Sequence, residues 1–208
     1  MILKDLVSQV IRLVSGGILT DETRYDFLDI EAKIHYARAN VIQNFFAKTK
    51  RISGEWLQTY NATYDLASQE SNEFVRFVVP RTIPLDVFRD GFVYVGDTTG
   101  NVAYRRINNR AELANFNLHR ITKIKSDIPK FIYSEGVIEV YGNNAMTKEL
   151  RIDGIFANPT ELPLYNQDID NYPLSEDLIS AVKDFLLKTS LGVEQQKKPD
   201  VISDSAEK

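Results

Sequence analysis

The order of hydrophobic periods along the chain constrains its fold more than any other feature. Residues 3–14 place Leu3, Leu6, Val7, Val10, Ile11 and Val14 at helical spacing, and Ser15-Gly16-Gly17 ends the pattern. A longer helical pattern follows, from Asp21 to about Lys50. Thr20 is its expected N-cap, Asp21, Glu22 and Asp26 its first turns, and Lys48, Lys50 and Arg51 its basic end. At ~1.5 Å per residue such a helix is roughly 45 Å long. From about residue 71 to 157 the period changes to that of strands and turns. After residue 175 it returns to a helix. The fold class expected is α+β: a long N-terminal helix pair, a mostly antiparallel sheet forming a small barrel or sandwich, a C-terminal amphipathic helix and a flexible tail. The parts run 1–52, 53–157, 158–192 and 193–208 within one compact unit.

Within the strand block, "NEFVRFVVP" alternates and stops at Pro80. "GFVYVGDTTGNVAYRRI" reads as two strands around a glycine-containing loop, and "KFIYSEGVIEVYG" as a hairpin turning at Ser134-Glu135-Gly136. "KELRIDGIFANP" is a further strand, and "NRAELANFN" one or two helical turns. In "YPLSEDLISAVKDFLL", Ser175 is the expected N-cap. Glu176 and Asp177 follow it, and the apolar stripe is Leu178, Ile179, Val182, Phe185 and Leu186.

The long helix carries two stripes, which a surface helix does not need. One is Phe27, Ile30, Ile34, Ala37, Val41 and Phe45; the other is Leu28, Ala32, His35, Ala39, Ile42 and Phe46. Either both are buried within the chain, or the second meets a neighbouring subunit. The second reading makes Leu28, His35, Ile42 and Phe46 interface candidates, with Asp168, Asp170, Leu178, Phe185, Val201 and Ile202 from the C-terminal part.

Composition removes several chemistries. The chain has no cysteine, which excludes disulfides, thiolate metal sites and cysteine nucleophiles. Only His35 and His119 are available as imidazole ligands, so neither a metal nor another cofactor is expected. Phosphate-loop, dinucleotide, zinc-protease and serine-hydrolase motifs are all missing from the sequence. The E-x-K at Glu31 and Lys33 falls on a helix, where residues two apart diverge. No catalytic residue is assigned. There is no apolar run of about 18 residues to span a membrane, and the N-terminus makes a poor signal peptide. Cytoplasmic synthesis is the simplest expectation.

The 208 residues carry a net charge of −4, whereas a chain that holds nucleic acid by its phosphates is usually basic. The charge is nevertheless segregated. Between residues 103 and 130, Arg105, Arg106, Arg110, Arg120, Lys123, Lys125 and Lys130 face only Glu112 and Asp127, a net of +5. Between residues 157 and 187, six acids oppose Lys183 alone, a net of −5. The two stretches are either ordinary solvated faces, a DNA contact on the basic side, or patches that meet across a repeated head-to-tail contact.

The ordered set "FVRFVVP", "FVYVGDTTGNVAYRRINNRAEL", "FIYSEGVIEVYGN", "LRIDGIFANPTEL" and "YPLSEDLISAVKDFLL", behind a long helix, resembles the head–tail connector proteins of short-tailed phages, in particular the adaptor or ring proteins of the crAss-like group. The resemblance covers about residues 20 to 190. It implies a virion structural protein, not an enzyme, forming a dodecameric ring beneath the portal. Such a ring extends the DNA channel and links capsid to tail. Its implied partners are copies of itself, the portal protein, downstream tail proteins, and double-stranded DNA that passes without sequence-specific binding. The alternatives are a DNA-binding module built on the basic stretch, or another tail or decoration protein.

Overall fold

Two separate apolar cores organise the chain, one among helices and one between sheets. The computed structural model describes residues 1–15, 26–64, 74–86, 90–118, 128–142 and 149–190. Helices α1 (Leu3–Val14), α2 (Phe27–Thr49) and α4 (Glu176–Phe185) build the first core. Helix α2 contacts both of the others. Its two stripes are both used inside the chain: Ile30, Ile34, Ala37 and Val41 from one, and His35, Ile42 and Phe46 from the other, are all buried. Removal of each such aliphatic side chain from water is worth on the order of 2 kcal/mol.

The start of the long helix differs from expectation. Asp26 is the N-cap, its carboxylate accepting from the Leu28 N–H at 3.2 Å, and the described helix begins one residue later. Thr20, Asp21 and Glu22 lie outside the described residues. Lys50 ends α2 in the left-handed conformation at φ 56°. Ser175 does hold the N-cap position of α4, yet its hydroxyl makes no cap bond. It accepts instead from the Trp56 indole N–H at 3.0 Å, which ties α4 to the buried Trp56. After Phe185 the helix widens into a π turn, Leu186–Ser190.

The second core lies between two sheets. One has the order β1-β7-β3, with β1 at Gln58–Thr63, β7 at Glu149–Gly154 and β3 at Phe92–Gly96, all antiparallel. The other has the order β2-β6-β5-β4, with β2 at Phe74–Val78, β6 at Val137–Tyr141, β5 at Lys130–Ser134 and β4 at Arg105–Arg106. Among the described residues only the β4–β5 pair is parallel. Neither sheet closes into a barrel, so of the two β arrangements expected it is the open, two-sheet one that forms. Phe77, Phe131, Ile138 and Val140 from one sheet and Ala62, Val95, Leu150 and Ile152 from the other share the core.

The β5–β6 hairpin turns as the sequence predicts. Glu135 (φ 49°) and Gly136 (φ 84°) form the two-residue loop whose positive φ values match the twist of the flanking strands. Helix α3 (Arg110–Leu118) occupies the segment expected to be helical. Two strand expectations need correction. The stretch 92–106 does fold back on itself, through a bridge between Gly96 and Ala103 and the Tyr104 N–H donating to the Val95 carbonyl. Its two arms then pair in different sheets, β3 with β7 and β4 with β5. Strand β1, "QTYNAT", lies within the part expected to be β-rich but was not read as a strand, although Tyr60, Ala62 and the following Tyr64 alternate with polar residues and pack in the sheet core.

The two cores meet at residues 155 and 156. Ile155 enters the helical core and Phe156 the sheet core. The segment is held by Thr82, bridged to Phe156, and by the Ile83 N–H donating to the Ile155 carbonyl at 2.8 Å.

Candidate functional site

The most unusual polar chemistry in the chain is internal and clasps that junction. Arg38 stands in the middle of α2, one turn past Ile34, and its side chain is fully buried. Its Nε–H donates to the Pro173 carbonyl at 2.8 Å and an Nη1–H to the Phe156 carbonyl at 2.7 Å. The guanidinium also lies 5.5 Å from the centre of the Tyr172 ring. One side chain thus ties the long helix to the end of β7 and to the loop before α4. Burial lowers the Arg38 pKa, and the charge stays inside because two carbonyl dipoles and an aromatic face receive it.

His35 completes the cluster. Its Nδ1 lies 2.8 Å from the Tyr172 hydroxyl, and its Nε2 lies 3.6 Å from the Glu31 carboxylate one turn earlier. Burial and the nearby Arg38 charge lower its pKa to about 4. Burial also raises the Glu31 carboxyl, and raises the Tyr172 hydroxyl well above the usual phenol value. His35 and Arg38 therefore act as structural groups. The interface role assigned to His35 meets a side chain already committed within the chain. Ile42, Phe46 and Leu178 are likewise buried in the helical core, and Phe185 is half-buried with its ring 6.1 Å from that of Tyr36.

The remaining described candidates are at the surface. Leu28 is 69% exposed. Asp168 is exposed and pairs with Lys4 at 3.0 Å, tying the acidic loop to α1. The Asp170 carboxylate accepts from the Asn166 N–H at 2.8 Å. The same loop exposes Leu164 and Ile169, which sequence reasoning passed over because single apolar residues in a polar loop carry no period. Val201 and Ile202 lie outside the described residues.

The basic stretch is less basic in three dimensions than in sequence. Arg106 pairs with Asp90, and Arg110 pairs with Glu139 at 3.1 Å. Glu139 also receives Arg76 and the Tyr141 hydroxyl. Burial works against its charge, yet these hydrogen bonds keep its pKa below the usual carboxylate value. The Arg76 and Arg110 guanidinium groups also lie over the Phe74 ring, 5.1 and 5.4 Å from its centre. Asp90 and Glu139 lie outside residues 103–130, so a count confined to that stretch misses them. Arg105 is exposed at the edge of its sheet. Arg120, Lys123 and Lys125 lie outside the described residues.

Among the described residues no group of three or more His, Asp or Glu side chains is placed to hold a metal, and no helix is long and apolar enough to cross a membrane. Fold and site define a small α+β subunit whose buried polar groups brace its own layers. A family model described as phage tail ring protein 2, from crAss-like phages, matches residues 5–207, and the chain belongs to that family. It is a structural ring protein of a phage tail. No curated protein matches the chain.

Proposed function

We propose that this ring is a head–tail adaptor: it docks beneath the portal, extends the DNA channel and links capsid to tail. The observation that carries the reading is the family match over residues 5–207. The twelve-fold copy number and the portal as upper neighbour belong to this proposal. So does passage of double-stranded DNA without sequence-specific contacts. An acidic chain with net charge −4 suits a wall past which DNA slides, since a strongly basic lining holds phosphates. The internal pairing of Arg106 and Arg110 reduces the charge available for a rival DNA-binding role. No catalytic step is part of the proposal.

The test is solution mass by light scattering, for the chain alone and after mixing with the portal ring from the same genome. The expected result is a large ring, or a chain that joins the portal in many copies. A chain that stays monomeric and ignores the portal overturns the adaptor reading. Deletion of residues 193–208 is expected to leave a folded protein, judged by an unchanged unfolding midpoint, whose portal docking is weakened. Normal docking by the truncated chain removes that segment from the interface.

A further inference from the structure

The clasp around Arg38 leaves polar atoms unused where burial makes them most costly. Arg38 is fully buried, and its Nε and Nη1 are committed to the Pro173 and Phe156 carbonyls. Its Nη2 is also buried and donates to no protein acceptor. The His35 Nε2, one turn back on α2, is buried and unpaired, as is the Tyr165 hydroxyl on the loop before α4. A buried donor left without an acceptor costs about 1–3 kcal/mol, and more when it is charged. Native chains satisfy the large majority of such atoms, either from the protein or through ordered water.

These atoms belong to one cluster. Glu31, His35 and Arg38 follow at i, i+4 and i+7 along α2, so they share a face of the helix. Tyr172 joins them, with its hydroxyl on the His35 Nδ1 and its ring beside the guanidinium. Burial raises the Tyr165 pKa to about 12, and the charges of Asp170, Arg38 and Glu31 all act on its hydroxyl, which places it beside them.

The unused groups also limit what can satisfy them. The Arg38 Nη2 only donates, the Glu31 carboxylate accepts, and the Tyr165 hydroxyl does both. An anion suits Arg38 but is repelled by Glu31 and has nothing to donate. Water accepts and donates at once, and a buried water typically makes about three such bonds. Tyr165, Tyr172 and Pro173 also line a groove of about 470 Å³ between their loop and the first residues of β1. Every other residue lining it is described too, so solvent stands on the far side of the same side chains that enclose the cluster.

We infer that this cluster is a buried hydration site: an ordered water accepts from the Arg38 Nη2–H and bonds the Tyr165 hydroxyl, completing the clasp between the two cores. The Glu31 carboxylate and the His35 Nε2 offer further bonds to it or to a second water. Arg38 then keeps its charge in the interior with every donor nitrogen used. The inference is independent of what the ring docks to.

The test is a structure of the full chain, alone or in its ring, fine enough to show ordered solvent. A density peak is expected within ~3.2 Å of both the Arg38 Nη2 and the Tyr165 hydroxyl oxygen. In solution, relaxation dispersion of water oxygen counts the waters held for longer than the molecule tumbles. Tyr165→Phe, compared with wild type in the same oligomeric state, is expected to lose one long-lived water per chain while its circular dichroism is unchanged. Arg38→Met is a second variant expected to lose the same signal. Direct pairing of the Nη2 with a protein acceptor and no peak beside it overturns the inference. So does an unchanged count of long-lived waters in Tyr165→Phe. A peak that bromide replaces, seen by its anomalous scattering, identifies an anion and overturns it equally.

Discussion

Replacement of Arg38 by alanine is expected to lower the free energy of unfolding by about 3–5 kcal/mol, among the largest losses available to a single substitution here. Three costs add. The Pro173 and Phe156 carbonyls lose the donors that reach them at 2.8 and 2.7 Å. A buried acceptor without a partner costs about 1–3 kcal/mol. The missing side chain, fully buried between helix and sheet layers, leaves a cavity that the surrounding elements fill only in part. Arg38→Lys is expected to recover little, because an ammonium on a single stem cannot reproduce the two divergent donors of the guanidinium. Arg38→Met is expected to fall between wild type and alanine, since it fills the space and removes the desolvated charge while leaving both carbonyls unpaired. Urea unfolding of the three variants, compared by midpoint and slope, orders them. A loss below about 1 kcal/mol for alanine shows that this side chain is not the joint between the two cores.

The parts of the fold that were legible in the sequence are those whose signal is local. The stripes of α1 and α4 repeat within the element itself, and the β5–β6 turn needs a residue pair that tolerates positive φ, which Glu135-Gly136 supplies. What was not legible depends on partners distant in sequence. Strand β1 owes its existence to β7, ninety or so residues on, because each of its residues from Gln58 to Thr63 pairs there. Its own alternation, Tyr60 and Ala62 between Thr59, Asn61 and Thr63, is short and carries little apolar surface. The split of β3 and β4 between two sheets is decided by β7 and β5, and nothing in "GFVYVGDTTGNVAYRRI" records it.

The site was read less completely than the fold. Arg38 stands in phase with Ile34 and Ile42, and a charged residue in that buried sector was a signal available from helical spacing alone. Its partners were not foreseeable, since Pro173 and Phe156 present backbone atoms. Charge counting over residues 103–130 failed for the reason that β1 was missed: Asp90 and Glu139 reach Arg106 and Arg110 through the fold and not through sequence proximity.

The same buried cluster should make the subunit acid-labile in a defined window. In the folded chain burial, reinforced by the Arg38 charge, holds the His35 pKa at about 4, against 6.5 for an unperturbed imidazole. Between those values the unfolded chain binds a proton that the folded chain refuses. Stability is therefore full above pH ~6.5 and falls as the pH drops towards 4. At ~1.4 kcal/mol per pH unit the loss attributable to this one residue approaches roughly 3 kcal/mol. Glu31 acts in the opposite sense, because its raised folded pKa lets the folded chain take up a proton first, and it offsets part of the loss. With the Tyr172 hydroxyl donating to Nδ1, the ring proton is on Nε2, which lies 3.6 Å from the Glu31 carboxylate and beyond hydrogen-bond range. His35→Gln keeps a hydrogen-bonding partner for Tyr172 and cannot acquire a charge. Urea midpoints at pH 7 and pH ~4.5 for the two proteins isolate the effect. Wild type is expected to lose on the order of 2 kcal/mol more than His35→Gln across that interval. Equal losses would assign the acid sensitivity to carboxylates elsewhere in the fold and leave His35 a packed side chain without a titration role.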